Sequence, residues 1–441
     1  MPATASLTRE QTLAARCLEA LRTGERWLEP AEALLQRAAS GENSIAEPAS
    51  RALFGRVVEP LADSFDPSLS PVYREFFGWL LLACRPLPGF EPLDDALTAV
   101  GIRTVEDLLR RSEAAVAVRP TLPSGGPRCI VLPSRVTLGA DIAVVSVLIA
   151  GLRWRFPQAH VLFAAGSKNL DLFSGASAVD ALAAPYPRTG SLRDRLAVWP
   201  ALLRLLDAEL AGVADDELLL VDPDSRMTQL GLLPLRSSGA DGVSFDSRAF
   251  GGDSDRPLAQ LSADWLDEVF GPSDVRPLPW TTFQPRRDCR TPGQPLVAVS
   301  FGVGGNASKR VGDPFEAGVL DLLLDRGWRI ALDRGFGPAE QTRTEALAER
   351  VRQSGGLVHD GSFRGFGEIV TAADLFVGYD SAFGHLAAAM GVPGVTVFAG
   401  AVSPRMLQRW SPFGRGRSTV LPVTEGDSPD AVLERVRKAL P

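Results

Sequence analysis

Six residues that could hold an anion, Asp380-Ser381-Ala382-Phe383-Gly384-His385, follow a short apolar run and lead into Leu386-Ala387-Ala388-Ala389. Asp380 and Ser381 are good N-caps for a helix carrying the apolar residues. A helix start presents unpaired N–H groups and a partial positive charge, so a phosphate over residues 381–384 is stabilised without any Lys or Arg. Gly384 keeps the approach open. An ordinary strand-to-helix turn has the same composition, and this segment alone does not separate the two readings. A second stretch has related chemistry: the apolar run Leu296–Ser300 enters Phe301-Gly302-Val303-Gly304-Gly305-Asn306-Ala307-Ser308-Lys309. Its glycines leave backbone accessible and Lys309 is a point charge suited to a diphosphate. The alternative is a flexible solvated loop.

Upstream, the buried-strand pattern Cys129–Pro133 is followed by a turn ending Leu138-Gly139-Ala140-Asp141 and by an apolar helix over residues 142–156. Strand, Gly-containing turn and helix open a doubly wound domain, with the turn at the carboxyl edge of the sheet, where ligands bind. A carboxylate in a cleft can take a proton from a hydroxyl, and Asp141 can equally cap its helix. The two roles coexist. At the same edge, Leu218-Leu219-Leu220-Val221 runs into Asp222-Pro223-Asp224-Ser225-Arg226. Asp222, Arg226 and, further on, Arg248 are candidate contacts to a polar substrate; the alternative is a set of Asp–Arg surface pairs.

In combination these segments resemble the glycosyltransferase family 9 enzymes, typified by the ADP-heptose:lipopolysaccharide heptosyltransferases. The family pattern D-[S/T]-G-x-x-H-x-x-A-A reads here from Asp380 to Ala389, with Ala382 in place of the Gly. The family's Leu-Gly-Asp turn has Ala140 inserted, but Asp141 keeps the spacing to Pro157, so the resemblance assigns the catalytic Asp to Asp141 and makes the insertion a local bulge. The implied fold is α/β of GT-B architecture: two doubly wound Rossmann-like domains facing a cleft, the last helix folding back onto the first domain. The implied activity is inverting, metal-independent transfer of a sugar, a heptose by family default, from a nucleotide-sugar (an ADP-sugar is favoured) to a hydroxyl of a saccharide or glycolipid, as in lipopolysaccharide or cell-surface glycan synthesis. Asp141 would take the acceptor proton. Lys309, Asp380, Ser381, Ala382, Gly384, His385, Gly304 and Gly305 would hold the donor, whose diphosphate gathers charge as it leaves. Asp222, Arg226 and Arg248 would meet the acceptor. No cofactor or metal is expected. Ala140, Ala382 and Asp222-Pro223-Asp224-Ser225-Arg226, where the family often carries a D-x-Q-G-like segment, motivate a second reading, a GT-B-like binding or scaffold protein without transfer activity.

The chain has 441 residues, with 46 basic against 53 acidic and a net charge of −7. No basic stripe is present to neutralise phosphates, so nucleic acid is not an expected partner. Cys17, Cys84, Cys129 and Cys289 lie far apart and the imidazoles are His160, His359 and His385, which gives no zinc or disulfide pattern. The apolar runs near residues 76–84 and 142–152 are too short to span a bilayer, and no leader pattern opens the chain. A cytoplasmic enzyme of bacterial type is expected, and lipid-linked acceptors in the family leave peripheral contact with the inner membrane leaflet open.

Four segments should position these residues. Residues 1–125 read as helices, beginning with a Thr8–Gln11 capping box ahead of Leu13, Cys17, Leu18 and Leu21, then helices near 49–61, 72–84 and 105–111. This block is either a packing or dimerisation appendage or a lid that recognises the acceptor. Residues 126–272 form the acceptor domain, with strands near Cys129, Val161, Leu218 and Val243. Residues 273–295 are a Pro-rich linker. Residues 296–441 form the donor domain, with strands near Leu296, Arg329, Leu357, Leu375 and Val395 and a final helix carrying Val432, Val436 and Leu440.

Overall fold

The computed structural model describes residues 7–441 apart from 118, 121, 123, 124, 188, 239–241 and 305. Two parallel sheets build the frame. The first contains β1 (Cys129–Pro133), β2 (His160–Ala165), β3 (Val179–Ala183), β4 (Leu218–Asp222) and β5 (Gly242–Ser244), in the order β3-β2-β1-β4-β5. The second contains β6 (Leu296–Ser300), β7 (Arg329–Asp333), β8 (Leu357–His359), β9 (Leu375–Tyr379), β10 (Gly394–Phe398) and β11 (Ser418–Pro422), in the order β11-β10-β9-β6-β7-β8. Ile130 pairs with Val161 and Leu219, and Val297 with Ile330 and Leu375. Strand order reverses between β1 and β4 and between β6 and β9, and crevices at carboxyl edges open at such reversals. Asp222 ends β4, and Asp141, Lys309 and Asp380 follow β1, β6 and β9.

The central strands are buried on both faces, which is why they read as unbroken apolar runs. β3 and β11 were not expected. Both are edge strands, and β3 leaves Asp180, Ala181 and Ala183 exposed, so neither has an apolar run to announce it.

The helical block comprises α1 (Arg9–Thr23), α2 (Leu28–Ala38), α3 (Asn43–Leu53), α4 (Glu59–Asp63), α5 (Leu69–Cys84), α6 (Glu91–Ala99) and α7 (Val105–Ala117). Thr8 and Gln11 form the capping box of α1, each side chain bonding the other's backbone N–H. The core of this block is continuous with the first domain: Leu34, Phe76, Phe77 and Leu80 belong to one apolar cluster with Leu196, Trp199, Leu203 and Leu232. Trp199 also donates its indole N–H to Pro234 O at 2.8 Å. Truncating a buried Trp costs about 3–5 kcal/mol, so Trp199→Ala should destabilise α1–α7 and the first sheet together. Urea unfolding followed by circular dichroism should show one shifted transition; a second transition left at its wild-type midpoint would mean that the helical block folds independently.

Residues 273–295 are a largely exposed strap anchored by a few buried residues, Pro277, Pro279, Thr281, Phe283 and Cys289. Trp280 donates its backbone and indole N–H to Ser146 Oγ and O at 3.1 and 2.8 Å, Thr282 N–H reaches Leu172 O at 2.9 Å, and Arg286 N–H reaches Glu368 O at 3.0 Å. Phe283, 1% exposed, joins the apolar cluster that spans both sheets.

The final helix, Pro429–Ala439, departs from the architecture that the family resemblance implies. It stays in the second domain, with Val432, Val436 and Leu440 in that domain's core. Its seat is the helix Phe315–Asp325, where a methyl at Gly318 would lie 2.7 Å from Leu433 Cδ2, so glycine permits the approach. The crossing to the rest of the chain is made by residues 403–410 instead. Ser403 Oγ donates to Ser64 O at 2.9 Å, and the buried Arg409 guanidinium donates to Arg256 O and Gly252 O at 3.0 Å each. Among the described residues, no helix is long and apolar enough to cross a membrane.

Candidate active site

Asp141 sits where β1 gives way to its helix, and the extra residue Ala140 is absorbed there. Leu138–Ala140 form one helical turn, residues Asp141–Val145 widen into a π turn in which Ser146 N–H reaches Asp141 O, and Ser146–Arg155 continue as α-helix. Single π turns take up an inserted residue in this way and are frequent at functional sites. The loop before it is strained: Val136, β-branched, has φ 77°, a backbone region that costs of order 1–3 kcal/mol and clusters at functional sites.

Asp141 is 0% exposed. Arg135 N–H donates to its Oδ1 at 2.7 Å, while Ser134 Oγ and Asn169 Nδ2 donate to its Oδ2 at 2.5 and 2.6 Å. Burial pushes its carboxyl up to about 6, against the pull of these three donors. The Arg135 guanidinium donates to Pro223 O at 2.9 Å and lies 5.7 Å from the Trp410 ring centre, so the Asp141 loop is tied to the loop after β4 and to the second domain. Asn169 comes from the short helix Ser167–Leu170 after β2.

In the second domain, β9 ends at Tyr379 and Ser381 is the extended N-cap, φ −157°, of the helix Ala382–Met390. Its side chain makes no capping bond, and Ser381 Oγ is enclosed without a hydrogen-bond partner. Ala382 opens the helix without a positive φ, so its N–H can serve as the Gly of the family pattern would. Lys309 Nζ lies 2.5 Å from Asp380 Oδ2, which brings the cation to the start of this helix. His385 is 5% exposed, and burial pulls it down to about 4, so the ring is uncharged near neutrality.

Two of the expected donor contacts point elsewhere. Gly384 faces β10: a methyl there would lie 3.1 Å from Thr396 Oγ1, so this glycine serves packing rather than an open approach. Gly304 N–H, with Val303 N–H, is taken by Glu340 Oε1 at 3.0 Å, and Phe336 N–H by Glu340 Oε2 at 2.8 Å. The loop thus already cradles a carboxylate. Gly305 lies outside the described residues.

The two half-sites touch. A methyl on Gly139 would lie 3.1 Å from His385 Cδ2 and 3.4 Å from Ala382 Cα, so the turn before Asp141 abuts the start of the helix Ala382–Met390.

The expected acceptor residues are brought together, but against the helical block. Asp222 is buried and closes its own turn, accepting from Ser225 N–H at 2.8 Å and from Thr228 Oγ1, and burial pushes it up to about 6. Arg226 pairs with Asp63 at 2.9 Å. Arg248 pairs with Asp224 and with Asp63 at 3.4 Å, and donates to Ala62 O at 3.3 Å. The pairs with Asp63 at the end of α4 are partly buried and the Arg248–Asp224 pair is buried, in place of the surface pairs of the alternative. Ser134, Arg135, Asn169, Glu340 and Trp410 were not singled out in the sequence. Ser134 and Arg135 stand in the loop that carries Asp141, whereas Asn169 and Trp410 reach the site through tertiary contacts for which no local pattern exists.

Residues 313–438 match the model of glycosyltransferase family 9 (heptosyltransferase). No curated protein sequence matches the chain. Among solved structures, the chain resembles a family 9 glycosyl transferase from Veillonella parvula at 15% identity and TM-score 0.53, covering 71% of this chain and 95% of that one. It resembles the E. coli heptosyltransferase WaaC with ADP at 17% identity and TM-score 0.51, covering 71% and 100%. It also resembles E. coli ADP-heptose lps heptosyltransferase II at 15% identity and TM-score 0.51, covering 70% and 98%. The chain thus has the GT-B fold of these structures, and its residues 313–438 are similar to the glycosyltransferase family 9 (heptosyltransferase) model.

Proposed function

We propose that this chain transfers a sugar, with inversion and without a metal, from a nucleotide-sugar to a hydroxyl of a saccharide or glycolipid. The observation that carries the reading is the contact between the Asp141 turn and the helix Ala382–Met390, with Lys309 held on Asp380 beside it. The turn that leads to a buried carboxylate on one side abuts a helix start and a cation on the other, the groups that base-assisted displacement of a diphosphate requires. Asp141 removes the acceptor proton. The first N–H groups of the helix and Lys309 stabilise the departing diphosphate. The solved WaaC contains ADP, which favours an ADP-sugar.

The second reading, a binding or scaffold protein, is favoured by the enclosure of Asp141, 0% exposed with both oxygens engaged. Nucleotides separate the two readings from a protein with no donor site. A ligand at a hundredfold excess over its Kd adds about 2.7 kcal/mol of stability, so ADP should raise the melting temperature by at least about 2 °C. An unmoved melting temperature with ADP, UDP, GDP and CDP at millimolar concentration would remove the donor site. Stabilisation without release of sugar from any nucleotide-sugar or transfer to any acceptor would select the scaffold reading.

A further inference from the structure

We infer that Asn169 is a positioning residue that holds the Asp141 carboxylate ionised and fixed in orientation. The inference deepens the reading of Asp141 as the base. Asn169 is 7% exposed and reaches Asp141 from the neighbouring strand's loop, so the contact exists only in the folded sheet. Its amide and the Ser134 hydroxyl converge on Oδ2, while among the described residues Oδ1 receives only the Arg135 N–H. An ionised carboxylate has about four acceptor positions, so among the described residues Oδ1 keeps one acceptor position unfilled, within a carboxyl that is 0% exposed. Charge-assisted bonds of this kind favour the ionised form.

Among the described charged groups, Arg135 also favours the ionised form through its charge, although its guanidinium donates to Pro223 O, lies 3.8 Å from Asp224 and stands over the Trp410 ring. His385, on the helix packed against the Asp141 turn, is uncharged. Lys168, beside Asn169, lies over the Phe336 ring, and Asp171 is exposed. On the packed helix Leu258–Phe270, Asp264 pairs with Arg276 and Asp267 with Arg155, and Glu268 is exposed.

The test needs no substrate. Because burial raises the folded-state value of Asp141, the unfolded chain ionises first as pH rises, and the folded state loses stability relative to it until Asp141 also ionises. Asp141→Asn removes this loss. Its gain in melting temperature over wild type should therefore grow from pH 4 and level off near pH 6. In an Asn169→Ala background, the gain from Asp141→Asn should level off about one pH unit later, the equivalent of one charge-assisted bond. The same plateau pH in both backgrounds would overturn the inference, whatever Asp141 does in catalysis. Once a donor and acceptor are in hand, the acid limb of kcat/KM in Asn169→Ala should move up by the same interval, with activity recovering to within about threefold of wild type at pH 9. A uniform loss at all pH values would contradict a role exerted through the charge on Asp141. Loss of the pH limb in Asp141→Asn with full activity would refute the base reading alone.

Discussion

Asp141→Asn should slow sugar transfer by about 10² to 10⁴-fold, with donor affinity unchanged. The substitution removes the proton acceptor but keeps the shape. Its amide oxygen can still accept from Arg135 N–H, and its NH₂ can face Ser134 Oγ, which also accepts, and Asn169, whose amide can turn to present its oxygen. The network stays satisfied, so a large activity loss cannot be assigned to misfolding. Above pH 6 the variant should be the more thermostable protein, because wild-type Asp141 there carries a buried charge. Loss of activity together with gain of stability is the signature of a base whose environment is built for catalysis rather than for stability. A variant that transfers sugar at near wild-type rate would exclude Asp141 as the base and leave the π turn as the mark of a rebuilt site.

Lys309→Ala should weaken nucleoside-diphosphate binding about ten- to a hundredfold, equivalent to the roughly 1.5–3 kcal/mol of a charge-assisted contact. In the structure its ammonium is held by Asp380. A diphosphate must share it with that carboxylate, and the net effect falls at the lower end of the range if Asp380 keeps the ion pair. The fold should survive, because Lys309 stands partly exposed in the loop after β6. Unchanged affinity in titration calorimetry would take Lys309 out of the site and leave the diphosphate to the helix start alone.

Much of this architecture was legible before any coordinates, for a physical reason. Parallel strands covered on both sides, such as Leu296–Ser300 and Leu375–Tyr379, must be apolar throughout, and the turns that follow them are polar. The segments bearing Asp141, Lys309 and Asp380 are of this kind. The edge strands β3 and β11 lack that covering and left no run. Helices α2 and α6 start behind Trp27 and Phe90, which provide no side-chain cap, so the strongest start signal was missing although Glu29, Glu91 and Pro92 stand in their first turns. The sequence placed Arg226 and Arg248 at the right edge but not their partner: Asp63 is 163 positions from Arg226, and only the docking of the helical block joins them. Gly384 and Gly304 illustrate the other limit. Glycine in a turn signals close approach without saying to what, and here the neighbours are Thr396 and the Glu340 carboxylate.

The proposed transfer requires one placement, a diphosphate on the start of the helix Ala382–Met390 beside the Asp141 turn. A crystal grown with ADP tests it directly. The expected density puts diphosphate oxygens within about 3 Å of the Ala382 and Phe383 N–H groups and of Lys309 Nζ, with Ser381 Oγ gaining the partner it now lacks. ADP seated elsewhere, or no ADP retained at millimolar concentration, would contradict the placement and with it the transfer chemistry built on it.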